Sequence, residues 1–269
     1  MVRAIILGLI QGLTEFLPVS SSGHLALAQK LMGGRPPDIH MEIFLHFGTL
    51  LALVGVYYRK LSTLLASSAR AVVGKRRPGD AANLLFIGYL AIGTMPALFL
   101  GYFFHELIEN LFDRVYTISI LFLVTGIILF LTRFSRERRQ KIGVLDSILV
   151  GFAQAFALLP GISRSGVTIS TGIFRGMNKS EAADFAFLLA VPAILIISVY
   201  DFFRMSEVGL ESLSHYLVGM VCAFVVGYAA VRLLLALVRK GGLSYFSFYC
   251  WFVGVASFIL WTIRLKGGS

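Results

Sequence analysis

Two short stretches hold most of the side chains in this sequence that could do chemistry together. In the first, QGLTEFLPVSSSGH, a carboxamide (Gln11) and a carboxylate (Glu15) stand four residues apart, followed by Ser20, Ser21, Ser22 and His24. On a helix the first two share a face and turn two oxygen-bearing groups into one space. The serines fall where a helix should start, and the free N–H groups and macrodipole there favour an anion. The second stretch, PGISRSGVT at Pro160 to Thr168, brings Arg164, a planar donor fork suited to phosphate oxygens, flanked by Ser163, Ser165 and Thr168. Taken singly, these are a structural pair, a helix cap and a lone histidine. Taken together they suit phosphoryl transfer, which asks mainly for positioning and charge stabilisation.

Both stretches interrupt apolar runs. A polar break within a hydrophobic span costs about 2–7 kcal/mol per unpaired group unless protein or a wet cavity satisfies its backbone. Such a break therefore reads as a site. The composition makes the surroundings a membrane: of 269 residues, 57% are hydrophobic and 14% charged, and the mean hydropathy is +0.83. The formal charge of +10 leaves no separate domain to read nucleic acid and is better explained by cytoplasmic loops. Cys222 and Cys250 both fall in apolar spans, so no disulfide framework or zinc site is expected. Gln11 and Glu15 interrupt the first apolar run, and no signal peptide is expected there.

The elements that must position these groups form an all-α polytopic membrane domain over residues 1–269. A helix to about Leu17, a break at Pro18 to Ser22 and a second short arm make residues 1–31 a re-entrant hairpin, because neither arm reaches the roughly 20 residues needed to span. Spans are expected at 42–58, 84–105 and 115–132. A second hairpin occupies 144–179, followed by spans at 182–203, 213–238 and 245–263. Laying Gly8 to Gly23 over Gly151 to Gly166 without a gap puts Gln11 on Gln154, Ser20 on Ser163, Ser21 on Arg164 and Ser22 on Ser165. The chain thus reads as two repeats, about 1–132 and 144–263, each a hairpin plus three spans. Three is odd, so the second copy enters from the opposite face as an inverted repeat.

The charges orient it. Segments 59–83, 133–146, 172–184 and 239–244 carry fifteen Lys and Arg against five acids, and the opposite side carries seven against eight. The first side is expected to be cytoplasmic, with both termini outside. Arg232 lies near the end of its span and can snorkel. Glu15 and Arg164, near the midplane, are functional candidates by default.

LGLIQGLTEFLPVSSSGHL at 7–25 with PGISRSGVT at 160–168 closely resembles the undecaprenyl-diphosphate phosphatase family, also called the bacitracin resistance protein family, over essentially the whole chain. The resemblance implies hydrolysis of undecaprenyl diphosphate to undecaprenyl phosphate and inorganic phosphate for cell-wall synthesis. It also implies a divalent cation, Mg2+ or Ca2+, a site open to the outer side of the cell membrane, and a homodimer. By motif position, Gln11 and Glu15 become the acidic pair, Ser21 and His24 the nucleophile and base candidates, and Arg164 the phosphate clamp. Ser20, Ser22, Ser163, Ser165 and Thr168 become hydrogen-bonding support. Because residue 11 is glutamine, any metal or base role falls mainly on Glu15. Attack by Ser21, by His24 or by a positioned water all remain open.

Two other classes come near. Lipid phosphatases related to acid phosphatases use a PSGH segment and a later SR-x5-H, but Ser170 stands where the second histidine belongs and Arg70 where a lysine would precede Arg77-Pro78. A lipid-phosphate flippase would share the inverted repeat and basic loop. It has less need of Glu15 and His24 beside Arg164. His46, His105 and His215 read as isolated, and Glu42 near the outer mouth receives no role. Gly93, Gly126, Gly219 and Gly227 are expected to permit close helix contacts.

Overall fold

A computed structural model of the chain describes residues 1–32, 39–137, 142–204 and 210–267. Of the loop charges counted above, Arg35, Asp38, Arg138, Arg139, Lys141 and Glu207 lie outside the described residues. The described residues form ten α-helices and two short 3-10 turns, with no strand among them. The first hairpin is α1 (Val2–Phe16) and α2 (Ser21–Leu31), followed by α3 (Ile39–Val72), α4 (Asp80–Phe112) and α5 (Val115–Leu131). The second is α6 (Val144–Phe156) and α7 (Arg164–Phe174), followed by α8 (Lys179–Arg204), α9 (Leu210–Arg239) and α10 (Phe246–Gly267). Six helices, all but those of the hairpins, are long and apolar enough to cross a membrane.

The element types follow the expectation, and some boundaries do not. The span expected at 42–58 belongs to a helix of 34 residues, about 51 Å long against a hydrocarbon core of about 30 Å. Hydropathy marks where the lipid ends, whereas helix propensity continues through Arg59, Lys60 and the alanines to Val72. Similarly, α4 runs past the expected end at 105, but its backbone leaves helical geometry at Phe104 (φ −115°, ψ 16°), where the apolar run stops.

Helix α1 packs on α9, α6 on α4, α3 on α9, and α5 on α10. The first two contacts are made by glycines that the gapless overlay pairs. A Cβ on Gly8 would stand 2.5 Å from the Gly219 carbonyl oxygen, and one on Gly151 would stand 2.5 Å from the Gly93 carbonyl oxygen. Backbone-to-backbone contact of this kind supplies the dispersion that hydrophobicity cannot supply within lipid. Gly93 and Gly219 therefore hold the close contacts expected of them; Gly126 lies against Trp251 and Gly227 against the Phe16 ring.

The tips of the two hairpins are stitched together. Gly161 N–H donates to Ser20 Oγ at 3.2 Å, Ser165 Oγ donates to the Leu17 carbonyl at 3.2 Å, and Thr125 Oγ1 from α5 donates to the Gly161 carbonyl at 2.9 Å. Gly161 itself has φ +103°, and a Cβ there would meet the Ile118 carbonyl oxygen at 2.6 Å. Gly161→Ala is thus expected to cost about 1–3 kcal/mol or more, through backbone strain and overpacking together. Thermal unfolding in detergent should show a clear drop in Tm; an unchanged Tm would contradict this account of the joint.

Candidate active site

Each hairpin turn is built on a serine that caps the helix after it. Ser20 Oγ accepts from Gly23 N–H at 3.3 Å, and Ser163 Oγ accepts from Gly166 N–H at 3.1 Å. These caps satisfy backbone donors that would otherwise be orphaned inside the helical bundle. Ser20 has φ +66°, the one positive φ at a non-glycine position among the described residues. Such a conformation costs of order 1–3 kcal/mol and persists only where surroundings enforce it. Here Gly161 N–H holds the side chain and His24 Nδ1 pairs with the Ser20 carbonyl at 2.8 Å.

The strained turn delivers Ser21 to Glu15. Glu15 Oε2 accepts from Ser21 Oγ at 2.5 Å and from Gln11 Nε2 at 3.1 Å, while its Oε1 pairs with the Arg164 guanidinium. The carboxylate is buried, and the Arg164 side chain keeps 22% of its surface exposed. A hydroxyl, a carboxylate and a guanidinium, from α2, α1 and α7, thus meet at one point.

That point forms part of the wall of a cavity of about 350 Å³, lined by Glu15, Ser20, Ser21, Ser22, Ser163 and Arg164 and by apolar side chains such as Leu25, Leu158 and Ile194. The cavity reaches Lys30, Glu42, Phe112 and Asp113, so it extends toward the end of the molecule where α2, α3 and α4 have their termini. Lys30 closes one side by donating to the Asp113 carbonyl.

Not every expected residue faces this space. Gln11 is fully buried behind Glu15. Ser165 and Thr168 are buried with their hydroxyls on the backbone, Ser165 on Leu17 and Thr168 on the Arg164 carbonyl at 2.7 Å. They hold the turn that carries Arg164. His24 does not line the cavity: its Nε2 pairs with Tyr249 Oη at 2.8 Å, its ring stacks on Tyr249 at 5.6 Å, and it meets Phe122 edge-on.

Other side chains do line it. His46, read as isolated, faces the cavity within electrostatic reach of Glu15, with its Nδ1 2.9 Å from the Glu42 carbonyl oxygen. Glu42 lines the same wall and accepts from Gln29 Nε2 at 2.9 Å. Their four-residue spacing on α3 repeats that of Gln11 and Glu15 and was the available signal. Gln154 and Ser198 also reach the cavity. The overlay of the hairpins points to Gln154, whereas nothing in the sequence marks Ser198.

The oxygen set suits a hard dication. Magnesium commonly takes one or two carboxylates and completes its shell with water and substrate phosphates. Glu15 supplies a carboxylate, and beside it Gln11 Oε1 is buried without a hydrogen-bond partner. Among the described residues no cluster of three His, Cys, Asp or Glu is present, so an all-protein cage is not on offer.

The chain matches the family described as bacitracin resistance protein BacA over residues 4–256. It is 40% identical over 266 residues to the undecaprenyl-diphosphatase of Carboxydothermus hydrogenoformans, with 96% of each chain covered. It is 35% identical to the undecaprenyl-diphosphatase of Halothermothrix orenii, covering 96% of this chain and 97% of that one. Undecaprenyl-diphosphatase 1 of Bacillus licheniformis is 37% identical, with 96% and 97% covered. On a match spanning nearly its whole length, this chain belongs to the bacitracin resistance protein BacA family.

Proposed function

We propose that the chain is a membrane phosphatase that hydrolyses undecaprenyl diphosphate to undecaprenyl phosphate and inorganic phosphate. It would thereby recycle the lipid carrier for cell-wall synthesis and confer bacitracin resistance. The observation that carries this reading is the meeting of Ser21, Glu15 and Arg164 in one cavity wall. The names of its relatives agree with it.

In the proposed mechanism Arg164 exchanges its pairing with Glu15 for the incoming diphosphate, whose oxygens match its donor fork. Losing its cationic partner raises the basicity of Glu15 as the substrate arrives. Glu15 takes the proton of Ser21, and Ser21 Oγ bonds to the terminal phosphorus. The bridging P–O bond breaks, and undecaprenyl phosphate leaves with the proton that Glu15 took, which returns Glu15 to its carboxylate form. Water, deprotonated by the same carboxylate, then releases inorganic phosphate from the serine and returns its hydroxyl. His24 serves this scheme by holding the Ser20 turn against Tyr249. Ser20, Ser22 and Ser163 line the cavity and would support the phosphate by hydrogen bonds, and Ser165 and Thr168 would keep Arg164 in place. A divalent cation, which the family resemblance implies, would be held mainly by Glu15, with the Gln11 carboxamide behind it, and would help neutralise phosphate charge.

The apolar lining of the cavity suits the first prenyl units. Its mouth, with Lys30, Glu42 and Asp113, belongs to the side poorer in Lys and Arg, which supports access from the outer face of the cell membrane, with both termini outside. The paired glycine contacts and matching serine caps support an inverted duplication. The homodimer rests on the family resemblance alone.

Detergent-solubilised protein supplied with undecaprenyl diphosphate and magnesium should release inorganic phosphate catalytically. A chain that only moved lipid phosphate across a bilayer would release none.

A further inference from the structure

The cavity has a second polar wall. Gln154 on α6 is 2% exposed and Ser198 on α8 is 6% exposed. Both line the same cavity as the serine turn, and neither the two amide atoms of Gln154 nor the hydroxyl of Ser198 has a hydrogen-bond partner. Buried polar side chains are seldom left so, and two in one cavity need a reason. A serine within a helix usually turns its hydroxyl onto a carbonyl of the preceding turn, as Ser119 does with Val115 at 2.8 Å. Ser198 does not.

The overlay of the hairpins accounts for Gln154. Its counterpart Gln11 donates to Glu15 one turn later, and the position one turn after Gln154 is Leu158. The second hairpin therefore keeps the carboxamide and lacks the carboxylate. Gln154 is left with two donors and an acceptor inside the cavity that contains Arg164.

We propose that Gln154 and Ser198 form an uncharged binding wall for phosphoryl oxygens of the substrate. Gln154 Nε2 and Ser198 Oγ donate to oxygens that Arg164 does not hold, and Gln154 Oε1 accepts from a protonated phosphate oxygen or from water. A deprotonated diphosphate offers acceptors only, so donors are what this wall must present. Being neutral, the wall binds the anion without competing for Arg164 as a second carboxylate would. The inference rests on the phosphatase reading for its substrate and on the orphaned atoms for its location.

The test uses full-length protein in detergent with Gln154→Met, Gln154→Glu and Ser198→Ala. Methionine fills the same volume, and no protein hydrogen bond is lost, so Tm should hold or rise. For Gln154→Met, kcat/KM for phosphate release should fall about 10- to 100-fold, the scale of a lost hydrogen bond to a charged group. Gln154→Glu should fall further, and Ser198→Ala by about 3- to 10-fold. In parallel, the thermal shift produced by methylenediphosphonate, a non-hydrolysable diphosphate, should be present in the parent and lost in Gln154→Met.

A folded Gln154→Met with parental kcat/KM and a parental diphosphonate shift overturns the wall and leaves the phosphatase intact. A parent that releases no phosphate yet shows a shift dependent on Gln154 overturns the phosphatase and keeps the wall. A parent with neither turnover nor shift overturns both.

Discussion

Replacing Arg164 with alanine is expected to lower kcat/KM for phosphate release by about a thousandfold, with KM raised and kcat reduced together. The guanidinium lines the cavity beside Glu15, its side chain 22% exposed and paired with that carboxylate. In the proposed mechanism it meets a substrate carrying several negative charges inside a cavity that screens them less than bulk water does. Removing a preorganised charge-stabilising donor costs about 10²- to 10³-fold in comparable sites, and in the proposed mechanism Arg164 serves both bound diphosphate and transition state. Arg164→Lys separates charge from geometry: a point charge replaces a planar fork, and about a hundredfold should still be lost. An Arg164→Ala variant that stays folded and within threefold of the parent would remove Arg164 from the reaction.

The path from sequence to this site was uneven for physical reasons. The hairpins were legible because a proline and a run of serines inside an apolar stretch have few structural solutions in a membrane. The cap serines Ser20 and Ser163, the glycine pairs and the partnership of Glu15 with Arg164 all follow from two motifs that mirror each other. The length of α3 was not legible, since lipid thickness and helix propensity set different boundaries. His46 and Glu42 were passed over because they sit on a different helix from every motif residue, and only long-range packing brings α3 to the serine turn. His24 shows the converse. Its place in the motif says nothing about direction, and its ring lies against Tyr249 and Phe122 rather than in the cavity.

The two halves also divide the labour unequally. At equivalent positions the first hairpin carries Ser21 and Glu15 and the second carries Arg164 and Leu158. The two helix starts, at Ser21 and Arg164, line one cavity, and each favours anions. The differences at these two overlaid positions put the hydroxyl and the carboxylate on one side and the cation on the other. Such a pair satisfies itself when no substrate is present, which lets two ionised groups coexist at this depth.

Glu15→Gln should give a kinetic signature opposite in KM to that of Arg164→Ala. Glutamine keeps the shape and can still accept from Ser21, but it cannot take a proton, so kcat should fall about 10²- to 10⁴-fold. KM should stay level or drop, because the substitution removes a negative charge beside an anionic substrate and frees Arg164 from its partner. Stability should change modestly: the guanidinium left behind opens to the cavity and retains water, unlike a charge sealed in a core. Ser21→Ala should match the kcat loss and share its cause. Two residues acting as one unit lose activity once, so the double variant should be scarcely slower than either single one. Acid quenching with substrate labelled in the terminal phosphate extends the test: the parent should carry acid-stable label, and Ser21→Ala should carry none. A double variant whose losses multiply, or a parent with acid-labile label, would move the attack from Ser21 to water or to a histidine.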